Sequence, residues 1–190
     1  MNAIQLLLAA PFIAALLLAL LPNHRPRLAA WIAGGGALVG LACLISMAPA
    51  VFAGEVQRWS VDWVPAIGLS FGLRIDGLAW MFALLVTGIG ALVVLYAAWY
   101  LSDKDPPARF FMFLMLFMGA MLGVVTASNL LLLVVFWEAT SLSSFLLIGF
   151  WNGRADARQG ARMALAITGA GCWEESLAAT NSTWCSPRAI

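Results

Sequence analysis

Charged residues are scarce in this sequence, and their scarcity decides the class of protein. Lysine, arginine, aspartate and glutamate make up 10% of the 190 residues, whereas hydrophobic residues make up 63%. Because an ordinary soluble domain carries about 25% charged residues, the composition excludes that class. The ten basic and nine acidic residues are spread through short connectors, so no basic face is available and no nucleic-acid partner is expected. The sequence indicates a polytopic membrane protein whose first partner is the lipid bilayer.

Cysteine and histidine are also rare, which excludes several kinds of site. Cys43, Cys172 and Cys185 form no CxxC pair, and the single histidine, His24, lies in a connector beside Arg25. This spacing supports neither a disulfide framework nor a zinc site. The sequence also contains no phosphate-binding glycine loop and no nucleophile–base pair. We therefore expect no metal and no redox cofactor in this chain.

Five apolar runs come close to or exceed the length of about 20 residues that a helix needs to cross a bilayer. They are residues 3–21, 28–47, 77–101, 110–127 and 130–151. A sixth run begins at residue 161 but stays apolar only to residue 171, which is too short to span. The sequence therefore predicts an all-α membrane protein with five complete transmembrane helices and a truncated sixth.

The basic residues predict how the helices are oriented. If the helices alternate in direction, the connectors on one side carry seven basic residues, and the other side carries only Arg58 and Arg74. Basic connectors favour the cytoplasmic side, so the N-terminus and residues 48–76 are expected outside. The first run has its basic residues after it, the reverse of a secretory signal, so it is interpreted as a retained helix.

The outer segment between the second and third helices has the pattern of two strands. "RWSVDWVP" and "LSFGLRID" each alternate apolar with polar or small residues, and residues 65–68 separate them. This pattern predicts a short β-hairpin that packs on the membrane domain. Asp76 directly precedes the third helix and is predicted to be its N-cap.

Small residues within two of the runs predict close contacts between helices. Gly36 and Gly40 are spaced four residues apart, as are Gly119 and Gly123. This small-xxx-small spacing lets helix backbones approach each other. The four methionines within residues 112–121 are more typical of packing than of metal binding.

Glu138 is the one acidic or basic residue inside the five complete runs. It follows Leu130 by eight residues, about 12 Å along a helix, which places it near the middle of the bilayer. Ionisation at this depth costs on the order of 3 kcal/mol or more, so the carboxyl group should face protein or water. Burial favours the protonated form and a nearby cation favours the ionised form. Glu138 is thus predicted either to relay protons or to join helices as a neutral hydrogen-bonding acid.

Hydroxyl side chains surround Glu138 on the same helix. Ser141 lies one turn further on roughly the same face, and Thr140, Ser143 and Ser144 make the adjoining faces polar. Thr140, Ser141 and Ser144 are candidates to support an ion path, because their hydroxyl groups could line a path that contains water. Equally, such hydroxyls often donate to carbonyl groups of their own helix. Both interpretations remain open at this point.

Two stretches resemble a known family. They are "LRIDGLAWMFALLVTGIGALVVLYAAWYLS" and "ARFFMFLMLFMGAMLGVVTASNLLLLVVFWEATSLSSFLLIGFW", and they are similar to the antiporter-like subunits shared by respiratory complex I and Mrp-type Na⁺/H⁺ antiporters. The segments "FMGAMLGVV" and "FWEATSLSSFLLIGFW" are more similar to the A-type subunit of the Mrp (Pha, Mnh) antiporter than to the large complex I subunit. The resemblance implies a secondary transporter component, not an enzyme, that exports Na⁺ or K⁺ in exchange for protons. It also implies sibling membrane subunits and a bacterial inner membrane.

The resemblance further implies that Glu138 belongs to the ion path and pairs with a lysine on a seventh helix. It covers about residues 1–171, which we expect to be the N-terminal part of an antiporter-like domain. Residues 172–190 do not continue the apolar sixth helix of the family, so a frameshifted or disordered tail is expected there. Two alternatives remain: a proton-translocating membrane subunit of a complex I type NADH:quinone oxidoreductase or membrane hydrogenase, and an inactive truncated fragment.

Overall fold

The computed structural model describes residues 3–22, 25–64, 69–100 and 106–150, which form five helices and one β-hairpin. The elements are α1 (Ala3–Leu20), α2 (Pro26–Phe52), β1 (Gln57–Val64), β2 (Leu69–Ile75), α3 (Gly77–Tyr100), α4 (Pro107–Thr126) and α5 (Leu130–Ile148). All five helices are long and apolar enough to cross a membrane. The predicted all-α membrane fold is confirmed. The short sixth run, the 172–190 tail and His24 lie outside the described residues.

The largest difference from the predicted limits is in α2. This helix begins at Pro26 and ends at Phe52, whereas the hydropathy pattern predicted residues 28–47. Proline suits the first turn of a helix because its missing N–H has no partner there in any case. Pro49 lies in the last turn, so the hydrogen bond that it removes affects only the helix end. At 27 residues, or about 40 Å, α2 is longer than the hydrocarbon core of a bilayer.

The β-hairpin between α2 and α3 is confirmed. β1 pairs with β2 in antiparallel fashion, with Gln57 opposite Ile75 and Ser60 opposite Gly72. Leu73 and Ile75 point inward and are buried, at 1% and 0% exposure. The backbone N–H of Ser128 donates to the carbonyl oxygen of Gly72 at 3.0 Å. The hairpin is therefore fastened to the connector between α4 and α5.

The start of α3 is held by hydrogen bonds to its own cap and to α2. The Asp76 carboxylate accepts the backbone N–H of Ala79 at 2.9 Å, which confirms the predicted N-cap. Arg74 forms an ion pair with Asp76 at 2.9 Å. The indole Nε1 of Trp80 donates to the Leu44 carbonyl oxygen in α2 at 2.8 Å. The Asp76 bonds stabilise the start of α3, and the Trp80 bond attaches it to α2.

Helix α4 lies at the centre of the bundle and packs against the other four helices. In an 18-residue apolar stretch of α4, 56% of the residues are buried, against 22% in the corresponding stretch of α5 and 17% in that of α3. The rings of Phe12 and Phe136 lie against Gly119 and Gly123 of α4. Gly36 of α2 faces α1, where an added Cβ would come within 2.8 Å of the Ala14 Cβ. The predicted role of these glycines in helix contacts is confirmed.

The neighbouring glycines of α2 provide a matched test of this packing. Gly36→Ala is expected to lower the free energy of unfolding by about 1–3 kcal/mol, because Ala14 has no flexible side chain that could move aside. Gly35→Ala adds a methyl group into open space and is expected to be neutral or to stabilise by about 0.5–1 kcal/mol. Unfolding midpoints of the two variants in detergent provide the measurement. Equal midpoints would contradict the close approach of α1 and α2.

The N-cap of α3 predicts a pH dependence. The hydrogen bond from Ala79, and then the charge of Arg74, hold the pKa of Asp76 below its usual range. A carboxylate whose pKa is lowered by folding stabilises the fold above its unfolded pKa of about 3.9, and this contribution is lost as the pH falls through the lower folded value.

Asp76→Ala is therefore expected to cost about 1 kcal/mol of unfolding free energy at neutral pH. Asp76→Asn keeps an acceptor without the charge and is expected to lose less. The stability difference between wild type and Asp76→Asn should shrink as the pH falls below about 4. Thermal unfolding at neutral and acidic pH measures it, and a difference that does not change with pH would contradict an ionised cap.

Candidate functional site

The candidate site is the middle of α5, where Glu138 is exposed. The helix begins at an N-cap, Asn129, whose side-chain oxygen accepts the backbone N–H of Leu132 at 2.7 Å. Glu138 follows eight residues after the first residue of the helix, about 12 Å along its axis, so it lies at mid-membrane depth. The Asn129 cap was not predicted from the sequence, although an Asn directly before an apolar run signals one.

The packing of α5 determines which way Glu138 points. Leu132, Phe136 and Ser143 are buried and share one face of the helix. The Phe136 ring lies against Gly123 of α4 and makes an edge contact with Phe71 of β2, with ring centroids 6.2 Å apart. Glu138 comes two residues after Phe136, which is a rotation of about 200° around the helix. Its carboxyl group therefore projects away from α4.

The face around Glu138 is left open by the described helices. Apolar neighbours on or beside this face are strongly exposed: Leu131 at 59%, Val135 at 55%, Trp137 at 49% and Leu142 at 55%. The one ion pair among residues 3–22, 25–64, 69–100 and 106–150 is that of Arg74 with Asp76 at the hairpin. The part of the chain that the structure describes thus contains no cation paired with Glu138. The implied lysine on a seventh helix is not among these residues.

The hydroxyl groups near Glu138 donate to carbonyl oxygens of α5. Thr140 Oγ1 donates to the Trp137 carbonyl oxygen at 2.6 Å, and Ser141 Oγ donates to the same oxygen at 3.3 Å. Ser143 Oγ donates to the Ala139 carbonyl oxygen at 2.7 Å. Of the two interpretations left open by the sequence, own-helix bonding is the one seen for these three side chains. Hydroxyl oxygens keep acceptor capacity while they donate, so they can still contact water or a protonated acid.

Among the described residues, the geometry leaves the Glu138 carboxyl group without a nearby ion-pair partner. Ser141 is buried, Ser144 is half-buried, and both lie within two turns of Glu138. Within the described ranges, no three His, Cys, Asp or Glu side chains come together as a metal site would require. A single carboxyl group on an open helix face can accept or release a proton, and it can be stabilised by a cation on whatever protein covers that face.

Five spanning helices with one carboxyl group at mid-membrane define a multi-pass α-helical membrane protein. Two sequence families match parts of the chain. The family described as "NADH-Ubiquinone oxidoreductase (complex I), chain 5 N-terminus" matches residues 63–111, and "NADH:quinone oxidoreductase/Mrp antiporter, TM" matches residues 127–173. The second match contains Glu138 and the surrounding hydroxyl side chains.

Curated relatives point to the same group of proteins. The chain is 50% identical over 161 residues to the A/B subunit of a probable K⁺/H⁺ antiporter of Rhizobium meliloti (strain 1021), covering 85% of this chain and 16% of the relative. It is 38% identical over 169 residues to the A1 subunit of a Na⁺/H⁺ antiporter of Staphylococcus aureus, covering 88% of this chain and 21% of the relative. The chain thus spans about a sixth to a fifth of the length of these relatives.

Solved structures share the fold. A chain of the Mrp complex from Dietzia sp. DQ12-45-1b superposes with a TM-score of 0.76 at 32% identity, covering 89% of this chain and 18% of that one. A chain of the membrane-bound sulfane sulfur reductase, an archaeal respiratory membrane complex, gives a TM-score of 0.77 at 22% identity, covering 97% of this chain and 28% of that one. At that identity the second likeness concerns the fold alone.

The chain belongs to the family of antiporter-like membrane subunits that Mrp antiporters share with complex I. Within that family its relatives are the A-type subunits of Mrp-type antiporters, and its partial coverage of them fits an N-terminal part of such a protein. The resemblance identified from residues 73–102 and 108–151 is confirmed.

Proposed function

We propose that the chain is the N-terminal part of the A-type subunit of a multisubunit antiporter that exports Na⁺ or K⁺ in exchange for protons. The observation that carries the proposal is Glu138, a carboxyl group at mid-membrane depth on the open face of α5. A carboxyl group in hydrocarbon is stabilised only if protein or water covers it, and such residues commonly mark ion paths. The names of the relatives supply the exchanged ions, K⁺ or Na⁺ against H⁺.

The proposed mechanism is a coupled change of charge. In the protonated state Glu138 is neutral and tolerates its apolar neighbours on α5. When it loses the proton, its negative charge needs a cation on a covering helix, and a lysine is the partner that the family resemblance implies. Driven by an inward proton gradient, Glu138 would take up a proton from the outer side of the membrane and release it towards the inner side. Thr140, Ser141 and Ser144 would support the hydrated part of this path.

The surroundings of the chain form part of the proposal. Sibling membrane subunits are its proposed partners, as in the Mrp complex to which it is similar. The proposed location is the bacterial inner membrane with the N-terminus outside. Arg27 and Arg109 are exposed at the starts of α2 and α4, at the end of the bundle away from the hairpin, which fits a cytoplasmic assignment of that end.

The extent of the membrane domain is likewise proposed. Residues 1–171 are assigned to the antiporter-like domain, and residues 172–190 to a tail of different origin. The match to the transmembrane family ends at residue 173, which supports this division.

The nearest alternative is a proton-translocating membrane subunit of a complex I type oxidoreductase. The family description that names complex I, for residues 63–111, is the observation that favours it. A redox-driven pump moves protons only when its electron donor is oxidised. An antiporter instead dissipates a proton gradient whenever Na⁺ or K⁺ is added, so cation addition without a donor distinguishes the two functions.

Replacing Glu138 tests the ion path directly. In everted membrane vesicles that contain the complete antiporter complex, Glu138→Gln is expected to reduce the Na⁺- or K⁺-dependent dissipation of the proton gradient by at least about tenfold. The amide is similar in size but cannot exchange a proton, and tenfold corresponds to about 1.4 kcal/mol. The measurement is recovery of the fluorescence of a pH-sensitive amine dye after cation addition.

Two variants serve as controls for this experiment. Glu138→Asp keeps a carboxyl group and should retain part of the activity. Leu142→Ala alters the same exposed face but keeps the acid itself and should leave the flux near wild type. All variants are compared at equal amounts of assembled complex. Wild-type flux in Glu138→Gln would contradict the relay hypothesis. It would favour a Glu138 that only joins helices by hydrogen bonding.

A second experiment concerns the 190-residue chain by itself. Because the described helices leave Glu138 uncovered, we expect vesicles that contain only this polypeptide to show no cation-dependent proton flux. The matched positive control is vesicles that contain the complete complex. Proton-driven Na⁺ or K⁺ transport by the isolated chain would overturn the inference that the path needs additional protein.

A further inference from the structure

Phe136 is the largest side chain that α5 buries. The buried residues of this helix are Leu132, Phe136, Ser141 and Ser143, and 22% of its 18-residue apolar stretch is buried. A helix that buries so few side chains has few contacts that can fix its rotation about its own axis. The contacts of Phe136 therefore bear directly on the direction in which the open face of α5 is turned.

Two elements contact the Phe136 ring. The ring lies directly on Gly123 of α4, where a Cβ added to this glycine would overlap with the ring atoms Cγ, Cδ1 and Cε1. Phe71 of β2 meets the ring edge-on, with centroids 6.2 Å apart and ring planes at 71°. Phe71 makes the same kind of contact with Trp59 of β1, also at 6.2 Å, so its own ring is supported by the hairpin. Gly123 and Phe71 together form the Phe136 socket.

The strand that carries Phe71 is also attached to the chain just before α5. The backbone N–H of Ser128 donates to the carbonyl oxygen of Gly72 at 3.0 Å, and Leu73 forms a bridge with Ala127. Phe136 lies six residues after the first residue of α5, about 9 Å along the helix axis. The hairpin thus holds α5 at two heights, and this arrangement opposes rotation of the helix.

The position of Glu138 is sensitive to such a rotation. Glu138 follows Phe136 by two residues, which is about 200° around the helix. Because side-chain tips lie about 5–6 Å from the helix axis, a rotation of about 20° moves the carboxyl group by about 2 Å. A displacement of about 1 Å can slow a reaction between positioned groups on the order of a hundredfold. A small turn of α5 is therefore sufficient to misplace Glu138 relative to a group on the protein that covers its face.

We propose that Phe136 is a positioning residue for Glu138, and that the Phe136 socket, Gly123 and Phe71, fixes the rotation of α5. The proposal rests on the proposed role of Glu138 in the ion path. It goes further because it assigns the hairpin, at one end of the bundle, a part in directing the acid. Phe71 acts through Phe136 and is not itself part of the path.

Gly123→Ala tests the socket in the assembled antiporter complex. The added methyl group overlaps with ring atoms close to the α5 backbone, so the ring cannot swing aside as the end of a flexible chain would. The Na⁺- or K⁺-dependent dissipation of the proton gradient is expected to fall at least about tenfold at equal amounts of complex. Combining Gly123→Ala with Phe136→Leu makes room for the methyl group and should restore part of the flux. Phe71→Ala removes the other contact and should reduce the flux by a smaller factor.

Gly119→Ala is the matched control. Gly119 lies one turn earlier on α4, and a Cβ added there would come within 3.0 Å of the Phe12 ring of α1. This variant also crowds an aromatic ring against α4, but the ring belongs to α1 and not to α5. Gly119→Ala should therefore leave the flux near wild type at equal amounts of assembled complex.

A second measurement follows Glu138 without transport. Dicyclohexylcarbodiimide is an apolar reagent that modifies protonated carboxyl groups, and mass spectrometry gives the rate at which it modifies Glu138 in the assembled complex. Gly123→Ala and Phe71→Ala should change this rate, and Gly119→Ala should not. Adding Phe136→Leu to Gly123→Ala should bring the rate back towards wild type. Because the modification needs no cation flux, it tests the positioning of Glu138 independently of the ion path.

Two results would overturn the proposal. The first is an unchanged modification rate in Gly123→Ala and Phe71→Ala, because any loss of flux would then come from weakened packing alone. The second is an equal change in Gly119→Ala, which would indicate a general disturbance of α4. If Gly123→Ala does not assemble, Phe71→Ala adds no bulk and decides between the same results. A changed modification rate together with wild-type flux in Glu138→Gln would support the positioning and contradict the ion path.

Discussion

The close approach of helix backbones around α4 is the interaction on which the rest of the structure depends. In a bilayer, helices gain no hydrophobic free energy from each other, so van der Waals contact and hydrogen bonds must hold them together. Gly119 and Gly123 let the rings of Phe12 and Phe136 lie directly on the α4 backbone. α1 and α5 are thereby attached to α4, and α4 becomes the most buried helix of the bundle.

The same contact determines what Glu138 can do. With Phe136 on Gly123, the geometry of the helix turns Glu138 away from the bundle by about half a rotation. A carboxyl group held this way in hydrocarbon needs a covering protein surface or water. The proposed ion path requires such a cover, and the chain spans only 16% and 21% of the length of two curated relatives. Packing thus connects a glycine on α4 with the proposed ion path on α5.

The hairpin adds a second organising feature at one end of the bundle. It is held by the bond from Ser128 to Gly72, and α3 is held by the bond from Trp80 to Leu44. These contacts join the connector of α4 and α5, the hairpin, α3 and α2 into one unit.

Hydropathy and spacing in the sequence were sufficient to identify five helices long enough to span, the hairpin, the Asp76 cap and the position of Glu138 midway along its helix. They succeed because a spanning segment must satisfy its own backbone hydrogen bonds, which makes helix formation a local property. Two features needed the tertiary structure: the extension of α2 to Phe52 and the direction of Glu138. Each depends on how surfaces from distant segments fit together, and apolar surfaces of equal hydropathy can fit in many ways.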